Sequence, residues 1–211
     1  MKWIALMDGA MTCVDDDMFE ELNKYRWYHD ARGSAEYAFR NERTNGKNKI
    51  VQMHRTIIGG DDDRQVDHIN GYGLDNRRSN LRYATVQQNA FNRKKPNVKS
   101  TSQFKGVLQR KGTDYWLARI KFNNKHVELG RFQEEDYAGA AYNYAAKLFF
   151  GEYRRENENL SRLPREMEHE IFGKCLKKII RENWKVSTDF LIAEAYRFNA
   201  LPMLPLTEGA E

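Results

Sequence analysis

The chain has almost no cysteine. Its 211 residues hold two, Cys13 and Cys175, too few for a four-cysteine zinc site and too far apart to read as a disulfide scaffold. Reduced thiols and a cytoplasmic setting are expected. Long apolar runs are also missing, and no stretch approaches the roughly 20 residues that cross a bilayer. Mean hydropathy is −0.84, with 31% of residues charged against 40% hydrophobic. A charged-then-apolar secretory pattern is absent as well, since Asp8 interrupts the first short apolar stretch. These absences set the expectation of a polar, soluble chain of one or two domains with modest cores.

What the chain does have is an uneven distribution of charge. Residues 1–66 carry ten Lys/Arg against twelve Asp/Glu, and residues 67–132 carry fourteen against four. The balance then turns acidic, three against six over 133–160, and even, eight of each over 161–211. A basic block alone suits a solvated face as well as it suits a polyanion. Its concentration after residue 66 is nevertheless what a nucleic-acid partner needs.

The block opens on V-D-H-I-N, Val66 to Asn70, followed by D-N-R-R-S-N-L-R and Q-N-A-F-N-R-K-K. Asn80 falls twelve residues after His68, and Asn89 nine after that. Arg64 to Ile69 and Leu81 to Ala84 read as two short strands. The Gly- and Asn-rich segment between them reads as an irregular loop. Thr85 and Gln88 form a capping-box pair, so a helix starts at Val86, runs toward Arg93 and stops at Pro96. Asp67 and Asn89 offer hard oxygens to a magnesium-like ion, and His68 can take a proton from water near neutral pH. Neighbours on a regular strand point to opposite faces, so Asp67 and His68 serve one phosphate only if the strand is twisted or ends there.

This order and spacing resemble the HNH nucleases, in particular the small phage and intron homing endonucleases. The resemblance implies a ββα-metal arrangement and a catalytic set of Asp67, His68, Asn80 and Asn89. It implies a divalent metal, Mg2+ or Mn2+, on Asp67 and Asn89, and gives Asn80 an orienting duty. Asn92, three residues beyond Asn89, is a weaker candidate for metal or phosphate. His54 reads equally as a site residue or as a packed histidine. Arg77, Arg78 and Arg82 read as backbone-phosphate contacts.

The remaining segments read around that motif. Residues 1–53 form a β-rich α+β support, with a hairpin turning at Asp8-Gly9, a helix over Asp15 to Lys24, strands at Tyr25 to His29 and Glu36 to Asn41, and an Asn45-Gly46 turn into Lys49 to Met53. Residues 54–96 hold the nuclease motif and 97–101 a polar linker. Three short strands follow, with turns at Lys111-Gly112 and Asn123-Asn124, then a helix from Glu134 to Phe150 striped with Ala138, Ala141 and Ala145. The K-G-V, W-x-A-x-I, L-G-x-F and A-A-x-x-Y order over 102–157 resembles the ethylene-response-factor (APETALA-type) DNA-binding domain. That resemblance implies a sheet face in the major groove, carrying Arg110, Arg119, Lys121 and Arg131, with Lys105, Gln109 and His126 as further candidates. Leu108 and Glu128 stand where plant members usually carry Arg and Trp, so a plant-like sequence preference does not carry over. Over 158–211, Pro164 opens a helix with Met167, Ile171, Cys175 and Ile179, and a second helix follows Ser187-Thr188. These helices suit packing on the body, dimerisation or a partner, with packing placed first.

The fold class expected is therefore α+β. The expected function is site-directed, metal-dependent cleavage of double-stranded DNA, one nick per monomer, in the cytoplasm of a host cell if phage-encoded. The alternative is a DNA-binding regulator that does not cut.

Overall fold

A computed structural model describes residues 1–31, 36–44, 46–59, 63–95 and 100–181. The second C-terminal helix expected after Ser187-Thr188, and Pro96, lie outside them. The chain forms two compact units, Met1–Arg93 and Lys94–Glu211, and is a mixed α+β protein built on several small antiparallel sheets.

The first unit opens with the hairpin β1 (Lys2–Ala5) and β2 (Met11–Val14), in register from Lys2↔Val14 to Ala5↔Met11. Helix α1 (Asp16–Leu22) follows, with Asp16 and Asp17 in its first turn, where the helix dipole favours them. Strands β3 (Tyr28–Asp30), β4 (Tyr37–Thr44) and β5 (Lys47–Gln52) make a three-stranded sheet in the order β3-β4-β5. Then comes α2 (Met53–Ile58), a short helix where sequence reading ends a strand. Its signal is faint: Met53 and Ile57, one turn apart, both face the core. The core gathers Ile4, Leu6, Val14, Leu22, Trp27, Met53 and Ile57 with Val66, Leu74 and Leu81. The first two thirds of the unit thus share one apolar interior with the nuclease motif. Each fully buried side chain of this size contributes about 1.5–3 kcal/mol.

That motif is the pair β6 (Gln65–His68) and β7 (Leu81–Ala84), joined by a loop that ends in a 3-10 turn, Arg78–Asn80. Helix α3 (Val86–Asn92) follows at once. Both halves of the expected capping box form. The Gln88 amide N–H donates to Thr85 Oγ1 at 3.2 Å, and the Thr85 N–H to Gln88 Oε1 at 2.8 Å. Strand, loop, strand, helix is the ββα element anticipated from the sequence.

The second unit holds β8 (Val107–Gln109), β9 (Trp116–Phe122) and β10 (Lys125–Phe132), with β9 central. Helix α4 (Glu135–Phe150) packs over β9 and β10. Ala138, Ala141 and Ala145 are all fully buried, so a stripe of small residues permits the close approach. Gly106 is required here. It has φ +76°, and a Cβ would meet the Tyr142 ring at 2.1 Å and the Arg119 carbonyl at 2.6 Å. Helix α5 (Arg165–Arg181) packs back on α4 and β10, burying Ile171, Phe172, Cys175 and Leu176, with the Phe172 ring edge-on to Tyr144 at 6.0 Å.

Candidate active site

Asp67 sits directly opposite Arg82 in the β6–β7 ladder. Its carboxylate is 4% exposed and fully engaged. Arg82 donates twice to Oδ2, from Nε at 2.9 Å and Nη2 at 2.8 Å. From the helix side, Asn92 Nδ2 donates to Oδ1 at 3.0 Å and Oδ2 at 3.1 Å. The same amide reaches the carbonyls of His68 at 2.8 Å and Ile69 at 3.2 Å.

This differs from the expectation that Asn89 meets Asp67. Asn89 donates instead to Gln65 Oε1 at 2.6 Å. The reason is phase and direction. Gln65 and Asp67 share one face of β6, Asn89 and Asn92 share one face of α3, and the helix runs the same way as the strand. The earlier pair therefore meets, and the later pair meets.

His68 is the last residue of β6, so the alternation of a regular strand ends with it. Its Nε2 lies 3.2 Å from Asn76 Oδ1. The tautomer follows from a chain of donors. Thr12 Oγ1 donates to the Leu74 carbonyl at 2.8 Å, so it accepts from Asn76 Nδ2 at 2.8 Å. The Asn76 oxygen is then the atom facing His68, and His68 Nε2 carries the proton. Nδ1 is left as the acceptor of the ring.

Two further rings frame this imidazole. His54, on α2, stands perpendicular to it with centroids 5.2 Å apart, and Tyr37 lies at 5.8 Å. Burial lowers the His68 pKa, against the opposing pull of the Asn76 hydrogen bond and of Asp67 and Asp75. His54 is 4% exposed, and burial, then His68 and Arg55, push its pKa down to about 3. It is a neutral wall. Its Nε2 meets Gln52 Oε1 at 3.1 Å, and its Nδ1 is buried without a partner among the described residues. Burial, and then the Asp67 charge, raise the Tyr37 pKa.

Asn80 holds the loop. It accepts from the Asn70 amide N–H at 2.9 Å and donates to Asn70 Oδ1 at 3.1 Å and to the Asp75 carbonyl at 2.8 Å. Asp75 takes a bidentate Arg77, from Nε at 2.7 Å and Nη2 at 2.6 Å, and the Asn70 amide at 2.8 Å. Arg77 foremost holds the Asp75 carboxyl down at about 2. The Cys13 thiol also donates to Asp75, at 3.2 Å, and burial pushes that thiol up to about 11. Arg78 is tied to α1, with its N–H on Asp15 Oδ2 at 2.7 Å and its guanidinium on Asp17 at 2.6 Å. Each of the three loop and strand arginines expected on phosphate thus rests on a carboxylate of its own unit. Gly73 admits no side chain, since a Cβ would stand 1.9 Å from the Glu36 carbonyl and 2.9 Å from the Tyr37 ring.

Sequence reading passed over Asn76, Asp75 and Tyr37. Asp75 and Asn76 sat in the quoted D-N-R-R run, but their partners Thr12 and Cys13 are more than sixty residues away. Tyr37 carried no local signal.

No group of three or more His, Cys, Asp or Glu that could hold a metal ion occurs among the described residues. The acceptors gathered at Asp67 are nonetheless hard oxygens: its carboxylate and the carbonyls of His68 and Ile69, all facing the Asn92 Nδ2. A magnesium-like ion characteristically takes one or two carboxylates and completes its shell with water and substrate phosphate. The donor set fits such an ion, with Asp67 as its one carboxylate.

In the second unit, directly opposed residues share a face. The register Lys121↔His126 and Arg119↔Glu128 puts Arg119, Lys121, His126 and Glu128 together, all exposed, and Arg131, past the bulge between Glu128 and Gly130, is exposed as well. Arg131 Nε donates to Glu128 at 3.2 Å, and its guanidinium lies over the Tyr115 ring at 5.1 Å. Arg110 is exposed just beyond β8. Lys105 stands apart, half-buried over the Tyr142 ring of α4 at 6.0 Å.

Comparison with known proteins agrees with this site. Residues 60–91, which span β6, the loop and most of α3, match the HNH endonuclease family. Over 156 residues the chain is 33% identical to an uncharacterized HNH endonuclease of Acanthamoeba polyphaga mimivirus, covering 71% of this chain and 76% of that protein. A match of that length exceeds either unit alone, so it includes parts of both. HNH nucleases generally use a divalent metal and act on DNA, and no helix among the described residues is long and apolar enough to cross a membrane. With its ββα element and this degree of likeness, the chain belongs to the HNH endonucleases, nucleases that hydrolyse phosphodiester bonds.

Proposed function

We propose that the protein is a site-directed, metal-dependent DNA endonuclease of homing type, cutting with the first unit and docking on duplex DNA with the exposed sheet face of the second. The observation that carries the cutting role is the donor chain Leu74–Thr12–Asn76–His68, which leaves His68 Nδ1 as an acceptor beside a buried carboxylate.

His68 Nδ1 accepts a proton from the attacking water. The water oxygen bonds to phosphorus, and the bond to the departing 3′ oxygen breaks. Asn76 holds the ring in the productive tautomer, and the Tyr37 and His54 rings hold its plane. His54 stays neutral, so no second positive charge opposes the imidazolium that forms. Asp67, together with a side-chain amide of α3, would hold Mg2+ or Mn2+, which when bound stabilises charge on the phosphate and the leaving oxygen. Asn92 is the amide nearest Asp67, and serves by turning its oxygen where its Nδ2 now donates, with Asn89 one turn away. Asn80 keeps the loop closed.

Docking is supported by the row Arg119, Lys121 and Arg131 and by the resemblance of 102–157 to ethylene-response-factor domains. Arg77 and Arg78, paired with Asp75 and Asp17 but with exposed guanidinium edges, are the loop cations that can reach backbone phosphates. One centre per chain gives one strand cut per docking event.

The test is supercoiled plasmid incubated with purified protein and Mg2+ or Mn2+. Open circles should accumulate before linear product. His68→Ala should abolish cutting, by 10²–10⁴-fold as general-base losses run, with DNA binding unchanged. Binding by the wild type without cleavage on any target-bearing DNA would instead favour a regulator.

A further inference from the structure

The carboxylate proposed to hold metal is already neutralised inside the protein. Arg82, with a side chain 12% exposed, places two donors on Asp67 Oδ2, while the Asn92 amide spans both oxygens. Arg93 adds a further cation that acts on the neighbouring Tyr37. A divalent ion approaching Asp67 in the free protein therefore meets a guanidinium of like sign, in an ion pair that already offsets the carboxylate's charge.

Resting on the nuclease reading, we propose that Arg82 is a gate that makes metal binding depend on DNA. The backbone phosphate supplies two things at once: negative charge for the incoming cation, and a second anion onto which Arg82 can swing when it leaves Asp67. Arginine suits this exchange because its planar fork matches carboxylate and phosphate alike. The geometry favours exchange over sharing, since Arg82 places Nε and Nη2 on one carboxylate oxygen and the Asn92 amide reaches both. The enzyme then carries no armed metal centre until a phosphate backbone lies in it.

The test reads metal binding and not turnover. Full-length protein carrying His68→Ala leaves duplex intact, so Mn2+ affinity can be followed by the electron paramagnetic signal of free Mn2+. Measurements with and without sheared plasmid duplex at low salt, and with Asp67→Asn added as the blank for metal on DNA itself, isolate the Asp67 site. Duplex should tighten Mn2+ binding at least tenfold. By linkage, Mn2+ should tighten duplex binding by the same factor. Adding Arg82→Gln should raise DNA-free Mn2+ affinity at least tenfold and shrink the coupling, whereas Arg82→Lys, which keeps the charge, should leave it weak.

Equal Mn2+ affinity with and without duplex overturns the gate, as does a folded Arg82→Gln protein that binds Mn2+ no tighter than its parent. Should Arg82→Gln fail to fold, the coupling factor of the parent protein decides. Wild-type nicking without coupling removes the gate and leaves the nuclease reading standing. Absence of both nicking and Mn2+ binding removes the two together.

Discussion

In the first unit Arg77, Arg78 and Arg82 are closed onto Asp75, Asp17 and Asp67, whereas in the second Arg110, Arg119 and Lys121 stand exposed on or beside one sheet. On the proposed reading, cations do two kinds of work. A chemical centre needs its groups held in one geometry before substrate arrives, and internal ion pairs provide that. A docking face needs hydrated cations that exchange small ions for phosphates, so pairing them internally would weaken it. Among the described residues, only Arg131 of the proposed docking row has a carboxylate partner, Glu128, and that pair is exposed on both sides, where an ion pair is worth little.

The strongest way to break this contrast is at Asn76. Asn76→Ala removes the acceptor that fixes His68 while touching no exposed cation. Single-turnover cleavage should fall by about 10²–10⁴, with DNA affinity held within about twofold. Loss of affinity in step with cleavage would mean that the two units are not separate in function. A smaller effect is expected on α3. Asn92→Ala should cost at least about tenfold in cleavage, and Asn89→Ala only a few-fold, because the former faces Asp67 and the latter Gln65. The reverse order in a nicking assay would show that the helix turns when metal and DNA are bound.

Smaller again in rate terms is the docking face. Arg119→Ala with Lys121→Ala should weaken binding and reduce the slope of log affinity against log salt by about 0.9 per lost phosphate contact. Cleavage at saturating protein should be unchanged. An unaltered salt slope would move docking off this sheet.

The last prediction concerns stability and not rate. His54 has a folded pKa near 3 against an ordinary value of 6.5, so the unfolded chain takes up a proton that the folded chain refuses. Stability is therefore full above pH 6.5 and falls toward pH 3, by up to about 1.4 kcal/mol per pH unit. Asp75, depressed from 3.8 to about 2, adds a second loss only below pH 3.8. Urea unfolding at several pH values should show both windows, and His54→Phe should reduce the upper one, leaving the share of His68, whose pKa burial also lowers, and not move the lower one.

The parts of the site that were legible in sequence are those whose partners are near in sequence. The β6–β7 pair, the Thr85–Gln88 cap and α3 each rest on contacts within a few residues to about twenty. The alanine stripe of α4 was equally legible, because periodicity shows which face is narrow. What sequence hides is phase between elements. Asn89 and Asn92 lie on one helical face, and only the direction of α3 over β6 decides which meets Asp67. Helix α2 was hidden for another reason, since six residues give barely one and a half turns and the polar His54, Arg55 and Thr56 carry no apolar period.

The hydrogen bond between Thr12 and Asn76 has a consequence for how the enzyme comes into being. The catalytic motif is one continuous stretch from Asp67 to Asn92, yet the group that sets its histidine tautomer hangs from a strand at the far N-terminus, with the Cys13–Asp75 bridge alongside. Closing so long a loop is slow compared with forming a local helix or hairpin. A nascent chain would display every residue of the signature before it could use them. An excised signature peptide, complete in the letters that define its family, would lack the hydroxyl that orients its base.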